Sequence, residues 1–275
     1  MTASAKATGA SRSTRSRGGG AGTRGGSEGK RRSEPFRDLR LPIRRVELSP
    51  YADPLPPNAW PATVPAVAQL LRDGLDLGPA TVFVGENGTG KSTLVEAIAM
   101  AFGLNAEGGS TGANHRTYAS ESGLSECLLL RRGAASSKWG FFLRAETMHS
   151  FFTYLHRNPG GDPDFHALSH GESFNALLDS SRFRGDGLFV LDEPESALSF
   201  GAELRLLGQL MEMSASGSAQ IILSTHSPVL ASFPGARVLE LGDWGWRETR
   251  WADLEVVSHY RSFLDSPERY LRHLR

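Results

Sequence analysis

Apolar and polar positions divide the chain into a polar leader and a body in which short apolar runs alternate with helical stripes. Residues 41–48 alternate loosely and predict a first strand with Ile43, Val46 and Leu48 facing inward. The Pro-rich run 50–65 reads as irregular, residues 64–71 as a short helix, and Gly78-Pro79 as a turn into the apolar strand Thr81-Val82-Phe83-Val84. In residues 92–102, Leu94, Ala97, Ile98 and Ala101 share one helical face, as in a helix laid on a sheet. Residues 104–120 read as loop. Residues 125–130 and 139–144 read as two strands of a hairpin turning at Arg132-Gly133. Residues 146–155 form an amphipathic stripe with Phe151, Phe152 and Leu155, residues 158–164 an irregular loop, and residues 173–181 a helix. The uninterrupted apolar run 187–191 has the signature of a strand buried on both faces. A helix over 202–213 would bury Leu204, Leu207, Leu210 and Met211, and 219–224 would form another core strand. Residues 237–241 and 246–251 read as a closing hairpin. An amphipathic helix over 259–274 follows, whose Tyr260, Phe263 and Tyr270 read as packing residues rather than a base-stacking platform.

Strands alternating with helices predict an α/β protein, and 275 residues suffice for one large domain. The zero formal charge conceals an asymmetry. Residues 1–33 carry eight Lys/Arg against Glu28 alone, leaving the remainder acidic by about seven charges. That leader is Gly, Ser, Thr, Ala and Arg with little to bury, so it is expected to be disordered and separate from a domain over 34–275. It could be a leader without function, a basic arm touching nucleic acid, or a transit peptide lacking the usual apolar face. A single cysteine, Cys127, precludes an internal disulfide or a Cys-based metal site and suits a reducing compartment. No run approaches 18 apolar residues and no secretory h-region is visible, so a cytoplasmic protein without a membrane span is expected.

The chemistry concentrates in Gly85-Glu86-Asn87-Gly88-Thr89-Gly90-Lys91-Ser92-Thr93, which fits G-x-x-x-x-G-K-[ST] with a strand before it and a helix after. Glycines let successive N–H groups wrap a phosphate chain, and the helix start adds its positive dipole end. Lys91 supplies a full charge for β/γ-phosphates, and the Ser92 hydroxyl can ligate Mg²⁺. The chain holds only four lysines, so a chance match is remote.

The run 187–191 ends in Asp192-Glu193. Carboxylates at the C-terminal edge of a core strand sit where open α/β sheets place ligands. Asp192 would face the Mg²⁺ beside Ser92, and Glu193 could orient and deprotonate an attacking water. The next core strand ends in Ser224-Thr225-His226-Ser227-Pro228, from which His226 could reach a γ-phosphate or the water. Leu168-Ser169-His170-Gly171-Glu172 offers Ser169 as a helix N-cap, with Glu172 three residues on forming a capping box. Upstream, Tyr51 and Arg45 could stack on a base, though the plainer reading of each is a surface position.

Together these motifs resemble the ABC-type P-loop ATPases, in the branch of RecF-like and chromosome-maintenance head domains. The likeness is nearest to small stand-alone bacterial ATPases labelled "AAA family ATPase" and covers about residues 36–275. It implies a mixed, largely parallel core sheet flanked by helices, with a small antiparallel hairpin subdomain, binding and hydrolysing ATP with Mg²⁺. It implies that Ser169 and Gly171 belong to a variant of the L-S-G-G-Q signature, in which His170 replaces a glycine and Glu172 the glutamine. It implies a homodimer sandwiching two ATP molecules, each held by the phosphate loop of one chain and the signature of the other. Residues 196–199 would occupy the place of the D-loop, and Glu146 the place of the missing Q-loop glutamine. Only about 22 residues separate Glu146 from Ser169, too few for the helical subdomain of transporter ATPases or the coiled coil of chromosome-maintenance heads. A transporter subunit and a DNA repair or defence module are the alternative readings.

Overall fold

A computed structural model describes residues 40–53, 55–111, 123–157, 164–168, 170–217, 219–272 and 274. The readings made above for residues 1–33 and for Ser169 lie outside these. In chain order the elements are β1 (Arg45–Leu48), α1 (Pro65–Asp73), β2 (Leu75–Asp76), β3 (Ala80–Gly85), α2 (Lys91–Phe102), β4 (Gly109–Ser110), α3 (Leu124–Cys127), β5 (Leu128–Arg131) and β6 (Gly140–Arg144). There follow α4 (Met148–Arg157), α5 (His170–Asp179), β7 (Gly187–Asp192), α6 (Phe200–Ala215), β8 (Ala219–Thr225), β9 (Arg237–Gly242), β10 (Gly245–Glu248), α7 (Glu255–Asp265) and α8 (Glu268–Leu271).

Seven strands form the main sheet in the order β10-β9-β3-β8-β7-β6-β4. From β9 to β6 every pairing is parallel, and β10 and β4 close the edges antiparallel. All six residues of β7 and all seven of β8 are buried, as the unbroken apolar run 187–191 predicts for a strand covered on both faces. The two-residue period of a strand divides their side chains between two cores. Phe189, Leu191, Ile221 and Leu223 meet α4, α5 and α6 through Phe151, Phe174 and Leu206. Leu188, Val190 and Ile222 meet α1 and α2 through Leu70, Leu94 and Ile98. These opposed cores fix the register of β3, β7 and β8, and with it the level of their C-terminal ends, because a one-residue slip would exchange the faces.

A second, three-stranded antiparallel sheet has the order β2-β1-β5. Buried Gln220 ties it to the main sheet: its amide oxygen accepts from Ile43 N (2.8 Å), and its amide nitrogen donates to Ile43 O (2.6 Å) and Gly78 O (2.9 Å).

The hairpin expected from residues 125–130 and 139–144 does not form. Residues 124–127 are helical, β5 pairs with β1 (Leu48↔Leu128), and β6 lies beside β7 in the other sheet (Phe142↔Val190). The fully apolar Gly140–Leu143 stretch is buried on both faces, whereas Leu128–Leu130 is only half-buried. The two runs therefore go to different sheets, and the small antiparallel sheet is assembled from distant segments. Leu48 ends β1 exposed rather than inward. In α6 the buried stripe is Ala202, Leu206, Leu207 and Leu210, which leaves Leu204 and Met211 exposed. The terminal helix is two helices, α7 and α8, and the closing hairpin is β9–β10.

Candidate functional site

The phosphate loop spans the end of β3 and the start of α2. Gly90 caps α2 at φ 96°, a left-handed conformation, and a Cβ there would stand 2.5 Å from Val64 Cγ1. A Cβ on Gly85 would meet the Leu241 carbonyl oxygen at 2.6 Å. Glu86, Asn87 and Gly88 form the exposed tip, closed by the Thr89 hydroxyl donating to Glu86 O (2.8 Å). Behind them the 12-residue α2 directs its unpaired first-turn N–H groups and its positive dipole end into the loop, with Ser92 and Thr93 in that turn.

Lys91 is 3 % exposed, and its ammonium donates to Gly85 O (3.0 Å) and Glu86 O (3.1 Å). Burial lowers its pKa from the ordinary lysine value, opposed by the charges of Glu193, Asp192 and Glu195. Its Nζ also lies 2.9 Å from His226 Nε2 and 3.7 Å from Glu193 Oε1.

β7 and β8 supply the opposite wall. Asp192 is 4 % exposed and accepts hydrogen bonds from the hydroxyls of Ser224 and Ser92. The Arg144 guanidinium Nε stands 3.6 Å from its other oxygen. Burial raises the Asp192 pKa, against the opposing pull of those hydroxyls and of Arg144. Glu193 has φ 49° and ψ 49°, a left-handed conformation taken by no other non-glycine among the described residues. Such a backbone costs roughly 1–3 kcal/mol and persists where surrounding structure enforces it, most often at functional sites. Here the bond from Glu193 N to Ser224 O (3.1 Å) holds the turn and sends the carboxylate to His226 Nε2, 3.0 Å away. His226 Nε2 therefore faces both Lys91 and Glu193: it can accept from the ammonium or donate to the carboxylate, but one ring nitrogen cannot do both.

The chain thus brings Lys91, Ser92, Asp192, Glu193 and His226 into one cluster. Ser92 hydroxyl and Asp192 carboxylate are adjacent hard oxygen donors, the set Mg²⁺ takes when phosphate oxygens and water complete its octahedron. Among the described residues no group of three or more His, Cys, Asp or Glu side chains could hold a metal by itself.

Other expected positions fall elsewhere. Gly171 lies in the first turn of α5, which packs on the turn Pro194–Ala197, and open space surrounds its Cα. The Glu146 side chain is 80 % exposed and touches the cluster only through Arg144, at 3.4 Å. At the sheet edge it is Arg144, in register with Asp192, that faces the carboxylates, and it also pairs with Glu96. Tyr51 is 94 % exposed, and Arg45 is bound to Glu47, Asp76 and Asp73 O.

Sequence reading missed three participants. Ser224 orients Asp192 from the neighbouring strand. Arg144 reaches Asp192 from β6. Glu195 accepts the His226 backbone N–H, and its burial raises its pKa. Only Glu195 carried a signal, as the third carboxylate of Asp192-Glu193-Pro194-Glu195.

A phosphate loop and a carboxylate strand separated by one parallel strand, with a histidine at that strand's end, form a P-loop nucleotide-binding fold that is similar to ABC-type ATPase domains. Comparison with known proteins agrees. Residues 114–232 match a family model described as "AAA domain, putative AbiEii toxin, Type IV TA system", and residues 74–136 match another described as "AAA domain". An uncharacterised ABC transporter ATP-binding protein of Haemophilus influenzae is 30% identical over 112 residues, 40% of this chain and 42% of that protein. An ABC transporter ATP-binding protein of Streptomyces coelicolor is 30% identical over 188 residues, 60% of this chain and 32% of that protein. The chain thus spans less than half the length of these curated relatives. The head domain of a chromosome-maintenance (SMC) protein from Thermotoga maritima superposes with a TM-score of 0.37 at 16% identity, covering 64% of this chain and 93% of that one, too loose a likeness to weigh further.

Proposed function

We propose that the chain hydrolyses ATP with Mg²⁺ at the cluster between the phosphate loop and the ends of β7 and β8. One observation carries the reading. The strained Glu193 backbone aims a carboxylate beside Lys91 and His226, one residue from the buried Asp192 that Ser92 touches.

The loop N–H groups and Lys91 bind the phosphate chain. That requires Lys91 to exchange its carbonyl partners Gly85 and Glu86 for phosphate oxygens, a stronger charge-assisted contact. Ser92 and Asp192 would hold Mg²⁺, which supplies charge neutralisation for the transferring phosphoryl group. Glu193 accepts a proton from water aligned against the γ-phosphate. His226 either keeps its Nε2 on Glu193 and positions the water through it, or releases Glu193 and donates to the γ-phosphate oxygens, with the bond from its backbone N–H to Glu195 holding the strand end. Ser224 keeps the Asp192 carboxylate pointed at the cation site.

The same reading makes the working unit a homodimer. The variant signature Leu168-Ser169-His170-Gly171-Glu172 would close the γ-phosphate side of a partner's site, with Ser169 and Gly171 and the start of α5 as donors. Sizing of Glu193→Gln with ATP and Mg²⁺ tests this: the mass doubles if the signature acts in trans and stays that of one chain if it does not.

A second reading is favoured by the names of both curated relatives, ABC transporter ATP-binding proteins. In it the chain drives a membrane partner. No helix among the described residues is long and apolar enough to cross a membrane, so that partner would supply the span. Copurification of a multi-span protein with the tagged chain would favour this reading.

A further inference from the structure

Beside the phosphate loop, extending from His226 across the β9 side, lies a cavity of about 720 Å³, within the usual size of small-molecule sites. Its floor is the C-terminal edge of the sheet, where β3 and β9 run in parallel register (Gly85↔Leu241). Open α/β sheets bind ligands beyond such strand ends. Glu86 and Thr89 of the loop also line it, so a ligand inside continues directly from whatever the loop holds.

The far wall is aromatic. Tyr260 and Phe263 of α7, Tyr270 of α8 and Trp244 of the β9–β10 turn all face the cavity. Tyr270 stands edge-on to Phe263 (centroids 5.7 Å apart, 71°), and its hydroxyl meets His259 Nδ1 at 3.2 Å, which fixes the angle between the two helices' rings. Tyr260 and Phe263 remain 54 % and 43 % exposed, so they offer ring faces and edges to an incoming group instead of being spent on the core. Glu86, Asp243 and Glu255, with Glu240 paired to Arg247, give the cavity an acidic lining. Carboxylates there oppose a second polyanion and can accept hydrogen bonds from an amino group. The cavity therefore suits a planar, uncharged, amino-bearing ring joined to a phosphate chain that lies outside it, on the loop.

We propose that the purine base of the bound nucleotide occupies this cavity and stacks on the Tyr260/Phe263 wall, rather than on the upstream Tyr51 or Arg45. The assignment rests on the ATP reading of the phosphate loop and adds to it the residues that recognise the base. It also changes the role of the C-terminal helices, which become part of the nucleotide site.

Calorimetry on the full chain tests it, with Mg²⁺ and two probes: a non-hydrolysable ATP analogue and inorganic tripolyphosphate, which lacks the base. In the double variant Tyr260→Ala/Phe263→Ala the analogue should bind roughly ten- to a hundredfold more weakly, the range for losing base stacking. Tripolyphosphate affinity should stay within about twofold, because its contacts are on the loop. The pair Tyr260→Phe/Phe263→Tyr, which keeps both rings, should retain analogue binding. If the alanine pair melts early, Tyr260→Leu/Phe263→Leu preserves apolar volume without ring planes and should show the same selective loss. The proposal is overturned if these variants bind both probes like wild type, if both probes weaken equally, or if Tyr51→Ala alone produces the selective loss. Wild-type protein that binds neither probe would overturn the ATP reading itself, and the base site with it.

Discussion

On the β7–β8 side of the phosphate loop, Ser224 bonds Asp192, His226 bonds Glu193, and His226 and Glu193 face Lys91, with Asp192 almost wholly buried. On the β9 side the same loop faces an open cavity whose wall is four aromatic rings from the β9–β10 turn, α7 and α8. Proton transfer and phosphate binding need charged groups held to within a fraction of an ångström, and buried strand ends in a fixed register provide that. Recognition of a ring needs area and planarity, which aromatic side chains on short helices provide with few hydrogen bonds. We assign reaction to the β7–β8 side and recognition to the aromatic wall, with His226 bordering both, and substitutions away from His226 can separate the two.

The largest effect is expected where both sides meet. Lys91→Ala should weaken ATP and tripolyphosphate alike, by roughly a hundredfold or more, since it removes a charge-assisted contact to the phosphates. Equal loss of both probes sets this apart from the selective loss expected for the aromatic wall, and calorimetry reads both. If Lys91→Ala weakened only ATP, the phosphate-binding role given to the loop would fail.

A smaller effect of opposite sign is expected at Glu195. Its burial raises the carboxyl pKa despite the hydrogen bonds from His226 N and Thr225. A carboxyl whose folded pKa exceeds its unfolded one favours folding most at acid pH, and that benefit is lost as pH rises from the unfolded value, about 4.3, through the folded one. Glu195→Gln should therefore raise the melting temperature at neutral pH. The gain should fade below pH 4. An unchanged or lower melting temperature at pH 7 would show that the charged carboxylate contributes stability instead.

The smallest effect is expected at Glu146. Its side chain is exposed and reaches Asp192 only through Arg144. Glu146→Ala should change turnover by less than about twofold, within what surface substitutions usually do. A tenfold loss in a phosphate-release assay would restore Glu146 to the reacting side.

What the chain disclosed in advance follows the same division. Gly85–Thr93, Asp192-Glu193 and His226 are legible because each is a contiguous motif, and the apolar strand before it predicts where it will be placed. The buried strands β3, β7 and β8 were legible for the same reason. Ser224 and Arg144 were not, because nothing in a lone serine or arginine tells which neighbouring strand it will face until the parallel register is known. The rings of the terminal helices, read as packing, do pack on one another and also line a cavity, which an amphipathic stripe could not show because it does not tell whether a helix or a cavity lies opposite. The false hairpin at 125–144 has a similar cause. Two apolar runs joined by a short turn pair locally unless distant strands compete, and here β1 and β7 captured one run each.

The most direct trial of the account is phosphate release from ATP by Glu193→Gln, with retained nucleotide measured after gel filtration. With the carboxylate base replaced by an amide of the same shape, turnover should fall roughly 10²–10⁴-fold, the usual contribution of a positioned base, while ATP stays bound at wild-type affinity. Turnover at the wild-type rate would show that Glu193 does not activate the water and would contradict the assignment of the β7–β8 edge as the reacting side.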